Sequence, residues 1–257
     1  MNALTEVDSS VYDKDYYLKI NDGWREFEQG KLPERLRKAI AFAGTRFNGK
    51  KILDIGFGRG ELLIHLAKQG AQCFGIDYSK ASVEIATQYA KEQKVQVSFL
   101  QQEVKNMDFP QGFFDVVFML DVVEHLTDEQ LEKCLDSIEH SLSKDGVVVI
   151  HTMPNKFLAV PFYLVSKLTK TKRGVNQEAH VNEQTPFSLK KKLQKFNTQI
   201  IMDHEKNYFK NTQFYATHRT KIKPLVDLFL VHDFSKIPVL NLFLAAEIWV
   251  VCRKKKE

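Results

Sequence analysis

Apolar and polar positions along this chain of 257 residues follow two periods. Short apolar runs recur at Ile52–Ile55, Gln72–Asp77, Phe113–Leu120 and Val147–Ile150, the length and character of buried strands. Val95–Leu100 alternates and reads as a further strand, Thr198–Met202 as another, and Phe243–Cys252 supplies a last one. Between them apolar residues fall at helical spacing. Leu62, Leu63, Leu66 and Ala67 share one side, Ser79 to Gln93 is amphipathic, and Thr127 to about Leu142 follows a capping-box pair, Thr127 and Gln130. Pro33 predicts the start of an earlier helix, with Leu36, Ile40 and Phe47 inward and Arg35, Arg37 and Lys38 outward. Thr185 or Ser188 starts a later one that ends near Phe196. Lys144-Asp145-Gly146 reads as a turn. Strands alternating with helices predict an α/β fold built on a mainly parallel sheet.

The link between the first strand and its helix carries three alternate glycines, Gly56, Gly58 and Gly60. Such a turn admits positive φ and brings backbone N–H groups near a ligand, beside the positive end of a helix. A dinucleotide turn, G-x-G-x-x-G, would need a small residue at position 61, where Glu61 stands. The run is instead Asp54-x-Gly56-x-Gly58-x-Gly60. Asp77 closes the second strand, where a carboxylate can accept both hydroxyls of a ribose. A helix-capping role is the alternative for Asp77, although Ser79 could cap as well.

These residues resemble the first motifs of class I S-adenosylmethionine-dependent methyltransferases. Glu103-Val104, Phe114-Asp115-Val116-Val117 and Glu124-His125-Leu126 continue the likeness in family order over about residues 48–155. The similarity is greatest to small-molecule O-methyltransferases of the ubiquinone-biosynthesis and sugar-tailoring type. It implies a Rossmann-like sheet of seven strands in the order 3-2-1-4-5-7-6, with the last strand antiparallel and helices on both faces. It implies S-adenosylmethionine as cofactor. Asp54, Gly56, Gly58 and Gly60 would hold the methionine end, Asp77 and Tyr78 the ribose, and Glu103 and Val104 the adenine, with Leu120 at the end of strand four. No Asn/Asp-Pro-Pro-Tyr follows that strand, which counts against base or glutamine nitrogen as acceptor.

Catalytic candidates must lie at the carboxyl ends of strands four and five. Asp121, Glu124 and His125 are the principal ones, with His151 and His180 nearby. A base there would take the proton of an acceptor hydroxyl. Asp121-x-x-Glu124-His125 is also a set that could hold a divalent ion, and it resembles the Glu-x-x-Glu-His of ubiquinone-type enzymes, from which Asp121 departs conservatively. Metal-independent relatives use Glu-His to shape the turn, and no metal is assigned. A nicotinamide dehydrogenase and a non-catalytic cofactor-binding protein remain as alternatives.

Residues 1–47 read as an N-terminal arm and helix forming a lid, rich in Tyr12, Tyr16, Tyr17, Trp24 and Phe27. Residues 48–257 form the main domain, with insertions 152–185 and 205–240 as a substrate cover. The apolar run Phe157–Leu168, with Phe162 and Tyr163 toward the substrate, leads to Lys170, Lys172 and Arg173. It suits core packing, a cover, or peripheral contact with a membrane surface. The insertion 205–240 carries His218, Arg219, His232 and Asp233.

Apolar residues make up 44% and charged residues 27%, an ordinary globular balance, and the net charge of +5 permits anionic partners without singling one out. No basic stripe interleaved with aromatics points to nucleic acid. Cys73, Cys134 and Cys252 are widely spaced and sit in apolar company, as buried free thiols of a reducing compartment do. The first residues lack the basic start and apolar stretch of a signal peptide, so a cytoplasmic location is expected. Oligomeric state is unspecified, and the expected partner is a small-molecule substrate.

Overall fold

A computed structural model describes residues 11–21, 23–168, 180–203 and 238–255. Seven strands form one sheet in the order β3-β2-β1-β4-β5-β7-β6. They are β1 Lys51–Ile55, β2 Gln72–Asp77, β3 Ser98–Gln101, β4 Phe114–Leu120, β5 Leu142–Thr152, β6 Phe196–Asp203 and β7 Glu247–Lys254. β7 runs antiparallel to both of its neighbours, and the other pairs are parallel. This is the expected order and polarity. The strand order reverses between β1 and β4, which opens a crevice at their carboxyl ends.

Eight α-helices are described. They are α1 Trp24–Glu28, α2 Glu34–Ala43, α3 Glu61–Ala67, α4 Lys80–Glu92, α5 Asp128–Ser141, α6 Lys156–Leu168, α7 Pro186–Lys192 and α8 Pro238–Leu244. A π-helical turn, Tyr16–Ile20, precedes them. Successive strand residues feed opposite faces of the sheet, as the two-residue period requires. Leu53, Val117, Met119 and Ile150 pack with Leu131, Leu135 and Ile138 of α5. Ile52, Val116, Phe118 and Val149 pack with Leu36 and Ala39 of α2 and Leu62, Leu63 and Leu66 of α3. The three cysteines are free and buried, as expected.

Caps follow the sequence signals. Thr127 and Gln130 form the capping box of α5, and Thr185 rather than Ser188 caps α7, with Ser188 as its box partner. Four expectations change. β3 begins at Ser98 instead of Val95, because residues 94–95 complete the end of α4: Lys94 is left-handed and Val95 N donates to Ala90 O. Lys144-Asp145-Gly146 lies within β5, at a register shift between Phe114 and Val116 of β4, so the extra residues bulge instead of turning back. The later helix stops at Lys192, and Phe196 opens β6. Phe243 belongs to α8, because Pro238 starts a helix and the last strand begins only at Glu247. Of insertion 205–240 only residues 238–240 are described. His218, Arg219, His232, Asp233, Lys170, Lys172 and Arg173 lie outside the described residues, as does the side chain of Phe162.

Gly75 sets the distance between β2 and the glycine turn. A Cβ there would fall 2.6 Å from Phe57 Cδ1 and 2.8 Å from Leu63 Cδ1. Gly75→Ala should therefore destabilise the protein by about 1–3 kcal/mol, an overpacking cost read as a lower midpoint in urea unfolding. An unchanged midpoint would show that Phe57 and Leu63 yield freely.

Candidate active site

The crevice is built first by the turn after β1. Gly56, Gly58 and Gly60 all take positive φ. At Gly56 a Cβ would come within 2.4 Å of Val122, so only glycine lets the turn approach the end of β4 this closely. Gly58 N–H donates to Asp77 Oδ2 at 3.1 Å, and Ser79 N–H donates to Asp77 Oδ1 at 2.9 Å. Ser79, not Asp77, is the cap of α4. Burial pushes the Asp77 carboxyl up to about 6 despite these N–H groups. A carboxylate has about four acceptor positions, and the backbone takes two here. The Ser82 hydroxyl also acts on this carboxyl, and the acceptor capacity that remains suits a ribose hydroxyl.

Asp54 lies at the floor of the same crevice, 4% exposed, with no hydrogen-bond partner among the described residues. Burial first, then the charges of Asp77 and Glu61, hold its carboxyl well above the usual range, and Arg35 opposes them. An ammonium group is the natural complement of such a carboxyl. Leu120 is buried at the end of β4, and Tyr78 packs its ring 5.7 Å from that of Tyr12. Val104 is half-buried against the core, and Glu103 is exposed and pairs with Lys105 at 2.8 Å.

The N-terminal arm lies over the turn. Ser79 Oγ donates to the Tyr12 carbonyl at 2.7 Å, and Tyr17 is buried beside Gly58. Arg59, 4% exposed, donates to the Tyr17 carbonyl and to Glu61, each at 2.8 Å. Glu61 is thus the partner of an arginine that fastens the arm. Neither role was legible beforehand, since a charged residue in a glycine turn names no partner.

Beyond the crevice, the end of β4 gathers titratable groups. Tyr12 Oη and His125 Nδ1 are 3.1 Å apart. The His125 and His180 rings stand 5.0 Å apart, held by Val181 and Asn182 N–H groups that donate to the Glu124 carbonyl at 2.9 and 3.0 Å. Thr152 Oγ1 donates to the buried Glu124 carboxyl at 2.8 Å. Burial and the neighbouring Asp121 push Glu124 up to about 8, and burial with the adjacent His125 pushes His180 down to about 3.

Asp121 is engaged on both oxygens. Arg35 donates to Oδ2, and His151 Nδ1 lies 2.5 Å from Oδ1. Burial would raise its pKa, but Arg35 and His151 outweigh burial and hold the carboxyl well below the usual range. Arg35 therefore faces inward, contrary to its expected outward placement, and Lys38 likewise bridges Asp203 and Glu247 at 2.8 and 3.6 Å. The candidate ion-binding set of Asp121, Glu124 and His125 is not assembled among the described residues, because Arg35 and His151 take Asp121. Glu124, His125 and His180 are the group whose ligand atoms lie within 4.8 Å of one another. His151 is the penultimate residue of β5, at its carboxyl end as expected, and stands opposite Trp249. Its Nε2 stands 3.6 Å from Glu247, an ion-pair distance too long for a hydrogen bond. Glu247 is the lone acid of an apolar run, and such an acid, once buried, requires a partner.

Residues 27–202 match the profile of the family described as Methyltransferase domain, so the chain belongs to that family. Its class is that of the S-adenosylmethionine-dependent methyltransferases of class I, and S-adenosylmethionine is the cofactor that the glycine turn, Asp54 and Asp77 fit. The ubiquinone biosynthesis O-methyltransferase of Rickettsia canadensis is 30% identical over 159 residues, 58% of this chain and 65% of that one. The chain spans about half to two-thirds of the length of the first curated relatives it matches. Among solved structures, a SAM-dependent methyltransferase from Archaeoglobus fulgidus superposes with a TM-score of 0.59 at 20% identity, over 90% of this chain and 98% of that one. Phosphoethanolamine N-methyltransferase 2 of Haemonchus contortus, in complex with S-adenosyl-L-methionine, gives 0.61 at 18% identity, over 97% and 58%. Among the described residues, no helix is long and apolar enough to cross a membrane.

Burial would lower the His151 pKa, but Asp121 and Glu247 outweigh it and raise the group from 6.5 to about 9. A raised pKa contributes stability that is full below 6.5 and lost as pH climbs through 9. The shift corresponds to on the order of 3 kcal/mol. Thermal unfolding should show His151→Gln less stable than the parent at pH 6, with the gap closing by pH 9 on the scale of that shift. A gap independent of pH would refute a charged His151.

Proposed function

We propose that this protein transfers the methyl group of S-adenosylmethionine to a hydroxyl of a small metabolite of the quinone-precursor, sugar or polyketide-like kind. The observation that carries the reading is the convergence of Tyr12, Glu124, His125 and His180 beside the cofactor crevice. The likeness to an enzyme named for O-methylation supports an oxygen acceptor.

The cofactor, when bound, supplies an electrophilic methyl group and its own leaving group. The chain must bind and orient the acceptor, exclude water and take one proton. His125 takes the hydroxyl proton. The 3.1 Å contact between Tyr12 Oη and His125 Nδ1 fits either direction; the tautomer this role requires has Nδ1–H donating to Tyr12, which leaves Nε2 as the basic atom. Tyr12 stays un-ionised, because burial and the neighbouring tyrosines push its pKa far up. His180, held neutral, adds no positive charge that would oppose protonation of its neighbour. Asp121 remains ionised and stabilises the imidazolium that forms. Glu124, raised to about 8, is the neutral acid near pH 7 and offers a hydrogen bond instead of a competing base. The arm residues Tyr12 and Tyr17, both buried, cover the crevice and keep water out.

His125→Asn should lower kcat by about a hundredfold to ten-thousandfold while leaving affinity for S-adenosylhomocysteine within about twofold. The assay follows S-adenosylhomocysteine formation on a panel of hydroxylated acceptors. Undiminished turnover in His125→Asn would remove the base. Cofactor binding by the parent with no turnover on any acceptor would favour the non-catalytic reading. Full activity in EDTA is expected, since no metal is assigned; a loss restored by magnesium would give Glu124, His125 and His180 to an ion instead.

A further inference from the structure

Three helices beside the site carry an apolar face that no other described residue covers. α6 starts just past β5, and its Tyr163 hydroxyl donates to Glu183, three residues beyond His180. That side of α6 borders the acceptor side of the site. Another side presents Val160 and Leu164, the latter 60% exposed. Phe187 of α7 is 57% exposed and Val239 of α8 67% exposed, with Leu240 and Phe243 also in solvent. Phe157 joins the three helices, its ring 6.1 Å from Phe187 and 4.9 Å from Phe243. The spacing of Phe157, Val160 and Leu164, and of Val239, Leu240 and Phe243, puts each set along one side of its helix. Single exposed apolar side chains are ordinary, but a contiguous set on three elements marks a contact surface.

Charge on the same elements selects the partner. Lys156, Lys190 and Lys191 are exposed, and residues 156–168, 186–195 and 238–244 contain no aspartate or glutamate. Pairing this face with its own copy would bring lysines together with no acid from these helices to meet them; the neighbouring Asp128 is already bonded to Lys192. A bilayer with anionic headgroups offers apolar depth and negative charge together. We propose that this face docks on an anionic lipid surface, with the apolar side chains at the headgroup boundary and the lysines on the phosphates. Docking so would set the acceptor side of the site against the bilayer. That consequence, suited to an apolar acceptor, rests on the methyltransfer reading; the docking itself does not.

Co-sedimentation of the full chain tests it, with vesicles of phosphatidylcholine alone or containing about one-third phosphatidylglycerol. The parent should bind the mixed vesicles and bind the neutral ones at least about tenfold more weakly. Lys190→Glu with Lys191→Glu should abolish that preference, and Phe187→Glu with Val239→Glu should weaken binding to the mixed vesicles at least about tenfold. Unchanged affinity for S-adenosylhomocysteine in both variants shows that they fold. No binding by the parent, equal binding by the apolar variant, or a dimer in light scattering that the apolar variant dissociates would each overturn the proposal. No acceptor is used, so failure of the methyltransfer reading would leave this result standing.

Discussion

A carboxyl group taken out of water has to be paired, protonated or left for a ligand. The top of this sheet buries several at once, and their different fates define the site. Glu61 is paired with Arg59, and Asp121 with Arg35 and His151. Glu247 has His151, Lys38 and the Trp249 indole N–H. Glu124 is held toward its neutral form. Asp54 and Asp77 remain, raised by burial and short of cationic partners of their own. They face the turn whose glycines admit a ligand, and an S-adenosylmethionine molecule brings one ammonium and two ribose hydroxyls.

The pairings also join elements that the sheet alone would leave separate. Arg35 ties α2 to the end of β4, His151 ties β4 to β5, and Glu247 carries the chain of charges on to β7 and, through Lys38, back to α2. Asp121 sits at φ +56°, a conformation a non-glycine residue rarely adopts, and the ties on both oxygens hold it there. Arg59 does comparable work for the arm, so the shape of the cofactor turn and the closure of the arm depend on one buried side chain.

Local signals carried most of the fold. Apolar runs located the strands, the three glycines located the turn, and Thr127 with Gln130 located a helix start. The place of Asp77, at the end of the second strand and beside the glycine turn, was legible from the run that precedes it. The partners were not legible. Arg35 and Asp121 are 86 residues apart and Tyr12 and His125 are 113 apart, so no spacing rule connects them. Helical periodicity turned Arg35 outward because it treats charge as solvent-seeking; a buried carboxylate across the crevice reverses that preference. The apolar run back to Phe243 reads as part of the last strand, and the helix that begins at Pro238 takes Phe243 out of it.

The central claim is that Asp77 is kept for the ribose of the cofactor. Isothermal titration of S-adenosylhomocysteine into Asp77→Asn tests it most directly, with circular dichroism to confirm the fold. Exchanging a charged acceptor for an amide should weaken binding at least about tenfold. Affinity equal to that of the parent would contradict the account.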